Sequence, residues 1–176
     1  ATGEEPGSGT TIMAAAGSCG PHMLQPQADP YFHTVSFDWI TQFLISNAAI
    51  CRNIIPNGGN LPPRIISMPV IGFNIPQATP FTLSALATDD NGDPITYCWE
   101  STTPGWAGPW NGGNTAGSPF FKSRVPMTTS SRTFPDIDVI LAGYPANPPP
   151  MQGGLKGETL QQVPSNIDFR LTVRDN

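Results

Sequence analysis

Asp89, Asn91 and Asp93 stand at alternate positions in Asp89-Asp90-Asn91-Gly92-Asp93, a spacing that brings oxygen ligands from one turn toward a hard cation such as calcium. Glu100 falls at the twelfth place counted from Asp89, where a calcium loop of the helix–loop–helix kind carries its bidentate Glu. It lies instead in a strand-like run beside Trp99. The commoner outcome for such a run is a turn solvated by its own carboxylates, so these three residues form a minor calcium candidate. His22 and His33 lie in no His-Glu pair, and lone imidazoles are more often structural or surface groups than ligands. Cys19, Cys51 and Cys98 lack the paired short spacing of a zinc site; they allow one disulfide and a leftover thiol, or three thiols, with Cys19–Cys51 the favoured bridge. Cys98, inside Tyr97-Cys98-Trp99, reads as a buried small hydrophobe. Trp106 and Trp110, in a Gly-rich loop, could stack on a sugar or peptide, although stapling that loop to a core is the more frequent role. Nothing resembles a nucleophile with its base, a phosphate-binding glycine loop or a pair of catalytic carboxylates, so no catalytic residue is assigned.

The elements that must carry these residues are set by an unusual composition. Of 176 residues only 12% are charged, while 21 Pro and 18 Gly make up more than a fifth of the chain. Pro removes a backbone donor and Gly weakens helix interiors, so strands, turns and ordered loops are favoured. The 8 basic and 13 acidic residues give a net charge of -5 with no basic cluster, which argues against nucleic acid as a partner. No apolar run approaches the roughly 20 residues of a membrane-spanning helix. A signal-like stretch is absent from the first residues, so any export signal is expected outside this chain. Few Lys and many Thr, Ser, Asn and Gly fit a secreted, extracellular or cell-surface protein.

Three regions separate along the chain. In residues 31–50, Val35, Phe37, Trp39, Ile40, Phe43 and Leu44 recur near helical spacing, predicting an amphipathic helix at 36–47 with Thr34 or Ser36 as N-cap. Residues 53–63, with Pro-Asn-Gly-Gly-Asn and Pro-Pro steps, read as a linker. From 64 onward, short strand-like runs alternate with turn residues: 65–71, 81–88, 95–100, 120–125, 138–141 and 167–174. Phe81, Leu83, Ala85 and Ala87 alternate with Thr82, Ser84 and Leu86, as do Phe169, Leu171 and Val173 with Arg170, Thr172 and Arg174. Asn91-Gly92 predicts a β-hairpin between the runs that flank it. The expected fold is mainly β: an immunoglobulin- or fibronectin-like antiparallel sandwich over 64–176, preceded by a turn and a single helix over 1–52.

The segment Gly7-Ser8-Gly9-Thr10-Thr11-Ile12-Met13-Ala14-Ala15-Ala16-Gly17-Ser18-Cys19-Gly20, followed by Tyr31-Phe32-His33-Thr34-Val35-Ser36, resembles the Met-turn and last helix of reprolysin-like metzincin zinc metallopeptidases of secreted Bacteroidetes type. Three downstream stretches, residues 75–83, 87–100 and 166–176, are similar to the β-domain that follows the protease domain in such proteins. The resemblance implies that Met13 is the apolar floor beneath a zinc ion. It also implies that residues 1–52 complete a catalytic domain whose ligands, in an H-E-x-x-H-x-x-G-x-x-H helix, lie upstream of Ala1. That helix is absent here, and Ala15 stands where related Met-turns often carry Tyr. The chain therefore reads as a segment of a longer secreted protease, holding no zinc itself, with an Ig-like accessory domain for substrate docking or surface display. Its implied partners are the remainder of the parent protein, an extracellular protein substrate, or other copies of itself. The alternative is a structural subunit of an extracellular filament or surface assembly in which protease chemistry has been lost.

Overall fold

A computed structural model describes residues 3–46, 53–105, 119–143 and 157–175, and strands outnumber helices in it. After a 3-10 turn at Gly20–His22 come helix α1 (Thr34–Ile45), strands β1 (Arg64–Ser67), β2 (Phe81–Ser84), β3 (Leu86–Thr88), β4 (Ile95–Ser101) and β5 (Ser131–Phe134), the short helix α2 (Ile137–Leu141) and strand β6 (Phe169–Asp175). The strands pair antiparallel as β1 with β3, β2 with β5 and β4 with β6. No helix among the described residues is long and apolar enough to cross a membrane.

The alternation of 81–87 places Leu83, Ala85 and Ala87 inside, as expected, but the run is two strands rather than one. At Ala85 the backbone N–H turns to the Ser130 carbonyl at 3.3 Å, and the chain passes from pairing with β5 to pairing with β1. The expected hairpin at Asn91-Gly92 does not form. The turn exists, with Gly92 at φ 81, but β3 pairs with β1 and β4 takes β6 over seven residues, from Ile95↔Asp175 to Ser101↔Phe169. The expected strand at 120–125 is only an isolated bridge between Phe121 and Glu158. Residues 138–141 lie in α2 instead, because the Asp136 carboxylate accepts the Asp138 N–H at 3.0 Å and starts a helical turn.

One apolar core joins these pairs. Leu83, Trp99, Phe120, Phe121, Phe134 and Leu171 are buried in it, with Phe81 and Phe169 packed at its margin. Phe134 stacks on Phe81 at 5.4 Å and meets Phe121 edge-on at 5.1 Å, geometries that add to the area term of each ring. The Trp99 indole N–H donates to the Ser130 carbonyl at 3.0 Å, satisfying the polar edge of a buried ring. Arg132 lies over the Phe134 ring at 4.4 Å and donates to the Trp99 and Lys122 carbonyls and to buried Glu158.

β4 is buried on both faces, from Tyr97 to Ser101. Tyr97 and Trp99 belong to the apolar core, whereas Glu100, on the alternate face, meets the N-terminal region. Helix α1 starts at Thr34, two residues earlier than expected, because its cap is the His33 side chain rather than a hydroxyl: Nδ1 accepts the Val35 N–H at 3.2 Å. The Thr34 N–H, a first-turn donor with no helical partner, is taken by Glu100 Oε2 at 2.9 Å. Farther along, Arg170 of β6 holds Asp38 at 2.6 Å and Arg174 lies over Phe37 at 5.0 Å.

Candidate functional site

The register of β4 with β6 builds the first cluster. Pairing Ile95 with Asp175 sets Asp175 beside the start of β4 and the turn that precedes it. Ligand oxygens of Asp89, Asp93 and Asp175 then lie within 4.8 Å of one another. Asp89 Oδ1 accepts the N–H groups of Asn91 at 2.9 Å and Asp93 at 3.0 Å, which orients its other oxygen. That oxygen, Oδ2, is buried with no hydrogen-bond partner. Asp175 Oδ2 accepts from Asn60 Nδ2 at 2.5 Å. Three carboxylates with one orphaned oxygen fit a hard cation that takes oxygen ligands, and calcium suits such a donor set. Asn91, the middle member of the sequence candidate, is turned away: its Oδ1 accepts the Leu61 N–H at 2.8 Å. Asp175 takes its place, and only the strand pairing could have identified it.

The second cluster surrounds Met13. Thr11 to Ala14 form a turn closed by Ala14 N–H on the Thr11 carbonyl at 3.0 Å, and Ile12 and Met13 project from it into solvent. Its base is polar and fully enclosed. Glu5 Oε1 accepts the Thr10 N–H at 3.0 Å, and Oε2 accepts the Thr11 hydroxyl at 2.7 Å. Gly9, at φ 64, is required where it stands, since a Cβ there would lie 2.6 Å from the Ala14 Cβ and 2.9 Å from Glu5 Oε2. From the other side come Ser123, Tyr31 and Glu100. The Tyr31 hydroxyl donates to Ser123 Oγ at 2.8 Å, and Ser123 Oγ donates to Glu100 Oε1. Burial raises the Tyr31 phenol well above its ordinary range, so it stays a donor at any physiological pH. Ser123, Tyr31 and Glu100 were not legible as partners of this turn, because those contacts join segments far apart in the chain, whereas Glu5 bonds Thr10 and Thr11 only five and six positions on.

The remaining candidates disperse. His33 is buried, with Nε2 3.8 Å from Glu100 Oε1, and His22 is exposed at the end of the 3-10 turn. Neither joins a ligand group: among the described residues the Asp89, Asp93 and Asp175 cluster is the one set of His, Cys, Asp or Glu atoms close enough to share a metal. The described residues therefore do not fit a zinc ion. Cys19 is an exposed free thiol, and its expected partner Cys51 lies outside the described residues, as do Trp106 and Trp110. Cys98 is buried as expected, and burial pushes its thiol up to about 12, which keeps it protonated at neutral pH. A cavity of about 190 Å³ opens between β4, β5 and the start of α2, but its arginines, Arg124 and Arg132, are held by Glu158. No protein-family model, curated protein or solved structure matches this chain.

Proposed function

We propose that this chain is the part of a secreted zinc metallopeptidase that follows the zinc-binding helix, non-catalytic by itself, joined to an Ig-like accessory domain for substrate docking or surface display. The observation that carries this reading is the inverted helix α1. It buries Thr34 and Ser36 while Trp39 is 67%, Phe43 58% and Ile45 74% exposed. A helix in a finished domain turns its apolar stripe inward, so this face suits a surface covered by the remainder of the parent protein. The exposed Ile12–Met13 turn supports the same reading, as the apolar floor of a site whose ligands come from the covering part. Water activation on zinc would be the work of those upstream residues. The Asp89, Asp93 and Asp175 cluster serves as a calcium clasp that ties the 89–93 turn to the end of β6.

Trp39→Asp tests the reading. In the isolated chain it changes unfolding free energy by no more than about 0.5 kcal/mol, since the side chain is exposed. In the parent protein extended upstream it lowers peptide cleavage and stability together. Equal, negligible effects in both proteins would remove the covered-face account.

A second reading, a subunit of an extracellular filament or surface layer, is favoured by a different observation. Strand β1 is exposed along its length, with Ile66 at 54%, and Val70 and Ile71 beyond it reach 83% and 98% exposure. An exposed apolar strand is a template for pairing with another copy. Light scattering of the purified chain decides between the two, because a monomer at every concentration excludes assembly.

A further inference from the structure

We infer that Ser123, carried by the β-rich region, is a positioning residue that holds the Ile12–Met13 turn in place from beneath. The use of that turn rests on the metallopeptidase reading above; the holding rests on geometry. Ile12 and Met13 are 43% and 55% exposed, so apolar packing at the tip does little to fix the turn. What fixes it is its base, where Thr10 and Thr11 are wholly buried. The Thr10 hydroxyl has one proton and two acceptors at 3.0 Å, Glu5 Oε1 within the N-terminal segment and the Ser123 carbonyl across from it. The Ser123 N–H reaches the same Glu5 oxygen at 3.4 Å, so the β-rich region and the turn share one carboxylate. Ser123 is itself pinned, its hydroxyl donating to Glu100, the residue that also caps α1 through Thr34. The turn and helix α1, both of which carry exposed apolar residues, are thereby referred to one strand, β4, through Ser123 and Glu100. The β-rich region thus sets where the floor of the proposed site lies.

Thr10→Val keeps the shape of the side chain and removes the shared proton, while Thr10→Ser keeps the proton. Amide hydrogen exchange of the purified chain reads the result at Ile12, Ala14 and Ala15, whose N–H groups bond Tyr31, Thr11 and Ser8. In Thr10→Val these amides exchange about five- to tenfold faster, the effect of one lost hydrogen bond, while β4 and β6 amides keep their wild-type rates. Thr10→Ser restores protection. Unchanged exchange at the turn in Thr10→Val overturns the inference, as does equal acceleration in β4 and β6, which would make the bridge a prop of the whole fold. Peptide cleavage by the parent protein is the separate arm. A parent that cleaves nothing removes the metallopeptidase reading and leaves the exchange result to decide whether the Thr10 bridge to Glu5 and Ser123 holds the turn.

Discussion

Replacing Glu100 by Ala should cost more than its single position suggests, because the carboxylate is wholly buried and serves two chain segments at once. Its removal strands the Thr34 N–H at the start of α1 and the Ser123 hydroxyl, both out of reach of solvent. Each orphaned buried donor costs about 1–3 kcal/mol, so the pair gives about 4 kcal/mol before any cavity term. Removing a buried charge returns some desolvation energy, which lowers the sum to about 3 kcal/mol. Set against a total stability of about 5–15 kcal/mol for a domain, that is a large loss. Glu100→Gln keeps one acceptor for Thr34 and an amide for Ser123, so it should lose about 1–2 kcal/mol. Urea unfolding followed by tryptophan fluorescence measures both, with Trp99 next to the substituted position as a buried reporter. A loss for Glu100→Ala below about 1 kcal/mol, or equal losses for Ala and Gln, would refute the view that hydrogen bonding by this carboxylate docks the helix.

Further outcomes follow from the same contacts. Calcium at ten times its dissociation constant should stabilise the fold by about 1.4 kcal/mol, raising the thermal midpoint by about 3–6 °C. Asp89→Asn or Asp175→Asn should abolish that shift, and a midpoint indifferent to calcium in wild-type protein would dispose of the clasp. Burial lowers the Lys122 ammonium from 10.5 to about 8, so the unfolded chain holds its proton across that interval while the folded chain has released it. Stability should therefore rise with pH from about 8, by about 1 kcal/mol to pH 9. Cys98, raised from 9.0 to about 12, opposes the trend above pH 9, because the unfolded thiol ionises first. Lys122→Met should flatten the rise between pH 8 and 9 in denaturant titrations; a rise that persists in the variant contradicts the assignment.

Local pattern carried the sequence reading as far as local physics reaches. The alternation over 81–87 and 169–173 put the right side chains inside. Partner choice was not legible. A turn with Asn91-Gly92 is compatible with a hairpin, but β4, buried on both faces, gains more from seven residues of β6 than from the short β3. Strand β5 escaped notice because Ser131, Arg132 and Thr133 give no apolar alternation; it pairs through Thr133, whose hydroxyl meets that of Thr82 at 2.9 Å. Val139-Ile140-Leu141 suits strand or helix by composition, and the cap at Asp136 decided it. In the carboxylate cluster Asp89 and Asp93 were visible, while Asp175 lies more than eighty positions away and became a neighbour through the β4–β6 register. The Ser123 and Glu100 side of the polar base beneath the Met13 turn was hidden for the same reason.

The central claim, that the chemistry of the proposed peptidase lies in a part of the parent upstream of this chain, is tested most directly by metal analysis after dialysis against a chelator. The account predicts no retained zinc in the 176-residue chain and one equivalent in the parent protein that includes the preceding segment. Stoichiometric zinc in the isolated chain, or none in the parent, would contradict it.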